Sequence, residues 1–343
     1  MEYATTFSIN PTDSGTWLSI LEPWKGNTQP MHYYLYPRDA QPPSLPDSVR
    51  SIAVPIQRLV CYATTQLPYL DILDAEETLV AFPSTQYITT PSLKARADSG
   101  LIRDVGQADA VNPEVLLDLE PELVMMFAIN EPGSEYGQLQ KAGTPVVFNG
   151  DYLEQHPLGR VEYIKVFGAL LDRAEAADSA FNEIKKRFLA LENRAPAITE
   201  SSPSVFGGVV YGDVWYAPGG DSWAADFIKR AGGRYLYADQ PGTGSLQLSF
   251  ESVYAQCLDA DYWIGAGSYR NLSQMEQGEA RYADFEAFQN GHVYSYMKGT
   301  EPNGGVPYLE LGYARPDYIL SDLMSIFHPQ LAADTLFFYE NLK

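Results

Sequence analysis

Near the start of the chain, apolar and polar positions alternate. Tyr3 to Ile9, Thr16 to Leu21 and Met31 to Tyr36 each have the period of a strand with one buried face. The cluster Pro11-Thr12-Asp13-Ser14-Gly15 is a turn between the first two, and the four prolines between Pro37 and Pro46 make a connector. Short unbroken apolar runs then alternate with helical periodicity. Arg58 to Ala63, Thr78 to Phe82, Leu123 to Phe127 and Pro145 to Phe148 read as buried strands. Thr65 to Leu73 reads as a helix capped by Thr64 or Thr65, and Asn112-Pro113-Glu114 is a helix start with cap, proline and acid in order. The rhythm predicts an α/β lobe with a parallel sheet.

At Pro157 the rhythm stops. Val161, Ile164, Phe167 and Leu171 keep core spacing in a stretch that stays helical to about Leu191, first as a rod, then as a second helix after about Asp172. A second α/β region follows. It has β-like Val205 to Trp215, a helix from Ser222 to Ala231 stopped by Gly232-Gly233, and a helix from Glu251 to Leu258. Strands at Tyr262 to Ile264 and His292 to Tyr296 precede a last helix from Arg315-Pro316-Asp317 to Phe327. The expected organisation is a β extension over 1–50 packed on the first lobe, an α/β lobe over 51–156, a connecting helix over 157–175, and an α/β lobe over 176–343.

Composition narrows the function. The 343 residues are 45% hydrophobic and 13% aromatic, with 24 tyrosines, which suits a folded protein rich in rigid amphipathic contact area. A net charge of −21 and the absence of any Lys/Arg run exclude a nucleic-acid footprint. No segment approaches the ~20 apolar residues of a membrane span. Cys61, in an apolar run, reads as a buried thiol rather than half of a disulfide with Cys257. His32, His156, His292 and His328 share no ligand-like spacing, so no metal site and no cofactor is expected. Acid pairs such as Asp259 with Asp261 or Glu76 with Glu77 read as solvated turns, so an enzyme is not expected, although a two-lobe hydrolase or lyase is the alternative of another class.

Several motifs carry a resemblance. Asp104-Val105-Gly106, Asn112-Pro113-Glu114 and Leu119-Glu120-Pro121-Glu122-Leu123-Val124 resemble, in order and spacing, the signature of ABC-transporter substrate-binding proteins of the cobalamin, ferric-siderophore and haem class. His156-Pro157-Leu158-Gly159-Arg160, the segment Trp215 to Ser222, Ala231-Gly232-Gly233, and Arg315-Pro316-Asp317 with His328-Pro329 extend the likeness over about residues 50–335. The resemblance implies two Rossmann-like lobes joined by a single long helix, with a ligand cleft between them. It implies a periplasmic, lipid-anchored monomer that hands a corrinoid, ferric siderophore or haem to an ABC permease in the inner membrane. A corrinoid is favoured because the spelling is nearest to Bacteroidetes-like relatives. In this family an acid on each lobe docks the permease. Here Gln66 and Lys229 stand at or beside those places, which shifts the expected docking acids to Asp71, Glu76 or Asp226.

Ligands of α/β sheets sit outside the carboxyl ends of the strands. That rule, applied to the predicted strands, selects Tyr87, Phe127 and Asn130 in the first lobe. In the second it selects Trp215, Tyr216, Trp223, Tyr269, Arg270, Asn303 and Tyr308.

Overall fold

A computed structural model describes residues 1–46, 48–108, 110–331 and 335–343. Contacts group the chain into two units. One holds Met1–Lys185, Glu301–Gly305 and Leu309–Ala314; the other holds Lys186–Thr300, Val306–Tyr308 and Arg315–Lys343.

The first unit opens with a sheet of its own. β1 (Phe7–Thr12), β2 (Gly15–Ile20) and β3 (Met31–Pro37) form an antiparallel meander, and β4 (Val49–Val54) joins β3 in parallel. Residues ahead of β1 are not strand. They are gripped by two buried carboxylates: Glu162 accepts the N–H groups of Glu2, Tyr3 and Ala4, and Glu154 those of Thr5 and Thr6, at distances of 2.8 to 3.1 Å. Phe7 meets Tyr163 with ring centroids 4.5 Å apart, and Trp24 meets Phe148 at 5.2 Å.

Behind this extension lies the parallel sheet of β5 (Leu59–Cys61), β6 (Leu79–Phe82) and β7 (Arg103–Asp104), continued after the small hairpin β8 (Gly106–Gln107) and β9 (Ala110–Val111) by β10 (Leu123–Met126) and β11 (Val146–Phe148). Its order is β11-β10-β5-β6-β7. All residues of β5, β10 and β11 are buried, which is why they read as unbroken apolar runs. Around it stand α1 (Leu67–Ile72), α2 (Pro91–Asp98), α3 (Pro113–Asp118), α4 (Ser134–Lys141), α5 (Pro157–Glu162) and α6 (Ile164–Leu170). Asn112 caps α3 as its sequence demands, its Oδ1 accepting from Glu114 N at 3.1 Å and Val115 N at 3.3 Å.

The expected connecting helix differs from the structure. Residues 157–175 contain α5, α6 and only the first two residues of α7 (Ala174–Glu192). The break falls at Asp172, whose φ of 56° is left-handed and ends the helical run. The uninterrupted helix is α7, and the change of unit at Lys185–Lys186 lies inside it, so 157–175 belongs to the first unit.

The second unit has a five-stranded sheet and a three-stranded one. β12 (Ser204–Gly207) is followed by β13 (Val209–Tyr211) and β14 (Val214–Pro218), then α8 (Trp223–Arg230), β15 (Arg234–Tyr235), β16 (Ser245–Leu248), α9 (Phe250–Cys257) and β17 (Tyr262–Ile264). α10 (Leu272–Gly278), α11 (Glu286–Gln289), β18 (Val293–Ser295), α12 (Pro307–Ala314), α13 (Pro316–Phe327) and β19 (Glu340–Asn341) complete the chain; residues 309–314 of α12 group with the first unit. The main sheet runs β15-β12-β17-β18-β19, parallel except for the last strand, and β13-β14-β16 is antiparallel. Ser222 caps α8 by accepting from Ala225 N at 3.2 Å, and Gly232, with φ of 79°, ends it. Cys61 and Cys257 are free and buried.

Candidate functional site

In the first unit the carboxyl ends of β5, β6, β10 and β11 open into one cavity of about 560 Å³. Tyr62 and Thr65 follow β5, Tyr87 follows β6, Phe127 follows β10, and Asp151 and Tyr152 follow β11; Tyr313 of α12 closes it. Phe127 and Tyr152 meet edge to face at 5.1 Å. Tyr152 Oη donates to Ala128 O at 3.0 Å and accepts from Lys25 N at 3.0 Å, so this ring is fixed from both sides. The hydroxyl of Tyr62 donates to the carboxylate of Glu135, and burial raises the pKa of both groups. Asn130 is exposed and lines an adjoining cavity of about 480 Å³, which shares Tyr62 and Phe127.

Among the described residues Asp151 is the one carboxylate on this cavity wall. It is 1% exposed. Burial pushes its carboxyl up to about 6 against the opposing pull of Arg160 and the side chain of Asn149. Arg160 itself is held by Glu154 O at 3.2 Å and Tyr152 O at 3.3 Å, with its guanidinium 5.1 Å from the Tyr313 ring centre.

The sequence-selected residues divide. Tyr87 and Phe127 share the cavity, and Asn130 stands beside it. Asn303 is exposed on the 301–305 loop, whose next residues press on Tyr87; a Cβ on Gly305 would stand 2.8 Å from Tyr87 O. In the second unit, Tyr216 is 37% exposed on β14, and Trp223 is half-buried, edge-on to Phe227 at 4.8 Å. Tyr269 is half-buried against Gly278, where an added Cβ would come within 2.5 Å of its hydroxyl. Arg270 is exposed, donating to Met297 O at 3.0 Å and pairing with Glu340 at 3.6 Å.

Two expectations are corrected. Trp215 is 0% exposed, its indole donating to Gly207 O at 3.0 Å and stacking on Trp263 with centroids 5.3 Å apart. Neighbours on a strand face opposite ways, so exposure of Tyr216 turns Trp215 into the core. Tyr308 is 8% exposed, stacked on Tyr296 at 4.8 Å and edged by Phe338 and Tyr339, and it serves packing.

Gln66 is likewise not at a docking surface. It is 0% exposed, and its Oε1 accepts from Tyr62 N at 2.9 Å and Ala63 N at 3.3 Å, bracing the loop that carries the cavity residues. Asp71 is exposed, Glu76 starts a 3-10 turn, and Asp226 pairs with Arg230 at 2.7 Å. His32, His156, His292 and His328 bond to Ser19, Leu158 N, Asp261 O and Ala231 O respectively. Among the described residues no cluster of His, Cys, Asp and Glu is arranged to hold a metal ion. A second large cavity of about 550 Å³ lies between the N-terminal sheet and α4, lined by His32, Arg50, Tyr136 and Gln140, away from the strand ends.

Sequence reasoning missed Tyr62, Asp151, Tyr152 and Tyr313. The strand-end rule held the signal for the first three. Tyr62 was absorbed into an over-long strand, and the loop after Pro145 to Phe148 was not searched. Tyr313 comes from a distant helix and has no local signal.

A family profile described as "Periplasmic binding protein" matches residues 59–299. An uncharacterized lipoprotein of Methanocaldococcus jannaschii is 25% identical over 296 residues, covering 83% of this chain and 68% of its own length. The fold is similar to the periplasmic haem-binding protein HutB of Vibrio cholerae, with TM-score 0.61, 20% identity, and 77% and 98% of the two chains covered. It is also similar to the periplasmic vitamin B12 binding protein BtuF of the same organism, with TM-score 0.57, 16% identity, and 80% and 97% covered.

Proposed function

The chain belongs to the periplasmic binding protein family, and from that membership we propose that its cargo is a bulky ring-bearing metal complex, a corrinoid before haem or a ferric siderophore, held on the aromatic face of the first unit. The family is one of transport and not of catalysis: its members are the solute-binding components of ABC importers, which take up haem, B12 or iron-siderophore ligands and deliver them to the permease. Its place of work is extracytoplasmic. We add to this the lipid anchor, the monomeric state and the docking of the permease through Asp71, Glu76 or Asp226.

One observation supports the cargo class above the others. Tyr62, Tyr87, Phe127, Tyr152 and Tyr313 converge on a single cavity at the ends of four parallel strands. Rings held in place before binding lose little freedom on contact, and each gives a flat apolar area that a tetrapyrrole or catecholate edge can cover. Tyr216, Trp223, Tyr269 and Arg270 are the accessible second-unit residues we assign to ligand contact; Asn130 and Asn303 are the polar ones of the first unit.

The test is a titration of the purified protein with cyanocobalamin, haemin and a set of ferric siderophores, followed by Trp fluorescence and absorbance. Saturable one-to-one binding of the corrinoid, weakened by Phe127→Ala, supports the reading. No binding by any of them removes the cargo assignment and leaves the family standing.

A further inference from the structure

Near the aromatic cavity the first unit keeps buried polar atoms that the chain does not satisfy well. Asp151 Oδ2, Asn149 Nδ2 and Gln66 Nε2 are buried and make no hydrogen bond of good geometry, although the side chains of Asn149 and Thr65 lie near enough to Asp151 to draw its carboxyl downward. All three side chains are at most 1% exposed. Their other polar atoms have work: Asn149 Oδ1 accepts from Asp151 N at 3.2 Å, and Gln66 Oε1 caps the turn after β5. Leaving a buried acceptor unmatched is costly, and folds keep few such atoms. Asp151 differs from the two amides in one respect: it lines the cavity.

We propose that Asp151 is the ligand-reading residue of this cavity, its unmatched carboxylate oxygen accepting a hydrogen bond from an N–H or O–H donor on the rim of the ligand. The inference rests on the cavity being the cargo site. It narrows the cargo to ring systems whose rim carries amide or hydroxyl donors. A ring edged only by carboxylates offers Asp151 no donor and sets like charge against it. The surrounding rings supply affinity without direction, and the carboxylate supplies direction: a site built to hydrogen-bond a donor discriminates strongly against an analogue that lacks it.

The experiment compares the whole protein with Asp151→Asn and Asp151→Ser, using cyanocobalamin, whose rim carries amides, and the same corrinoid with those amides hydrolysed to carboxylates. Thermal melts show that each variant is folded; two variants are used so that one misfolding does not end the test. The expected result is a preference of wild type for the amide form, about tenfold or more for the loss of one such contact. Both variants lose that preference, and Asp151→Asn, which presents a donor, binds the carboxylate form more tightly than wild type does. Unchanged affinities in folded variants, with Phe127→Ala still impairing binding, overturn the role of Asp151 and leave the cavity as the cargo site. Binding of neither probe to wild type, or no effect of Phe127→Ala, overturns both.

Discussion

Glu310 accepts the backbone N–H of Thr90 at 2.7 Å, across 220 residues of sequence, and that of Thr89 at 2.8 Å. The carboxylate is 0% exposed, and burial raises its pKa against the pull of the two threonines. Thr90 is the N-cap of α2 and makes no side-chain cap bond of its own, so Glu310 is what fastens this loop, the one that carries Tyr87.

Removing that fastening has a measurable cost. Glu310→Ala leaves the N–H groups of Thr89 and Thr90 without an acceptor, a penalty of about 1–3 kcal/mol for the buried one and less for the part-buried one. The melting temperature falls by several degrees, and amide exchange rises at residues 85–90. Glu310→Gln keeps one acceptor and loses less. Equal protection of the loop in wild type and Glu310→Ala would contradict this reading.

Ring deletions sort cavity residues from core residues. Phe127→Ala raises the cargo Kd about tenfold, near 1.4 kcal/mol, with little change in melting temperature. Trp215→Phe does the reverse. It destabilises, because it leaves a hole in a stacked core and removes the donor to Gly207 O, but affinity stays within twofold. Calorimetric titration beside thermal melting separates the two outcomes.

Stability peaks on the acid side of neutral. Asp151 and Asp322 are both pushed up by burial to about 6, from 3.8 when unfolded. Asp322 is opposed by the N–H groups of residues 337–339 and by Lys298, and Asp151 by Arg160. A raised acid binds more protons folded than unfolded, so stability grows as pH falls from above 6 toward 3.8. Glu162 and Asp104 run the other way. Burial raises each, but backbone N–H groups outweigh it and hold the pKa down, so their contribution is lost below the ordinary carboxylate range. Urea denaturation gives greater stability at pH 5 than at pH 7.5, by on the order of 2 kcal/mol. Asp322→Asn shrinks the difference; a flat profile in wild type refutes the assignment.

Charge reversal at the docking acids separates transport from capture. Asp71→Lys leaves cargo affinity unchanged, because Asp71 is exposed and off the cavity. It lowers the stimulation of permease ATPase activity severalfold in reconstituted vesicles. Unchanged stimulation in Asp71→Lys, Glu76→Lys and Asp226→Lys together would move the docking surface elsewhere.

Elements governed by local chemistry were legible in the sequence. Asn112 and Ser222 cap the helices they precede because a cap acts over three residues. The central strands β5, β10 and β11 show as apolar runs because both faces are covered. The helix break at about Asp172 was read from the sequence and falls there, at a left-handed aspartate; the interruption between α5 and α6 at Tyr163 was not, since it leaves no breaker residue in the sequence. The site was half legible. The strand-end rule found Tyr87 and Phe127 but carried Trp215 and Tyr216 together, although a strand sends neighbours to opposite faces. Gln66 looked like a lost surface acid because its neighbours matched a family pattern; its burial follows from a loop geometry that no local pattern encodes.

The chain has five tryptophans, and the stacked pair Trp215 and Trp263, with indole N–H groups bound to Gly207 O and Gly208 O, is sealed from solvent. Two chromophores this close absorb as a coupled pair. They give the protein a near-ultraviolet dichroism band that survives while the second unit is folded. Buried as they are, their emission is expected to the blue and out of reach of dissolved quenchers such as iodide. The protein thus carries an optical ruler within its own chain, against which quenching of Trp17, Trp24 and Trp223 by cargo can be read without an added label.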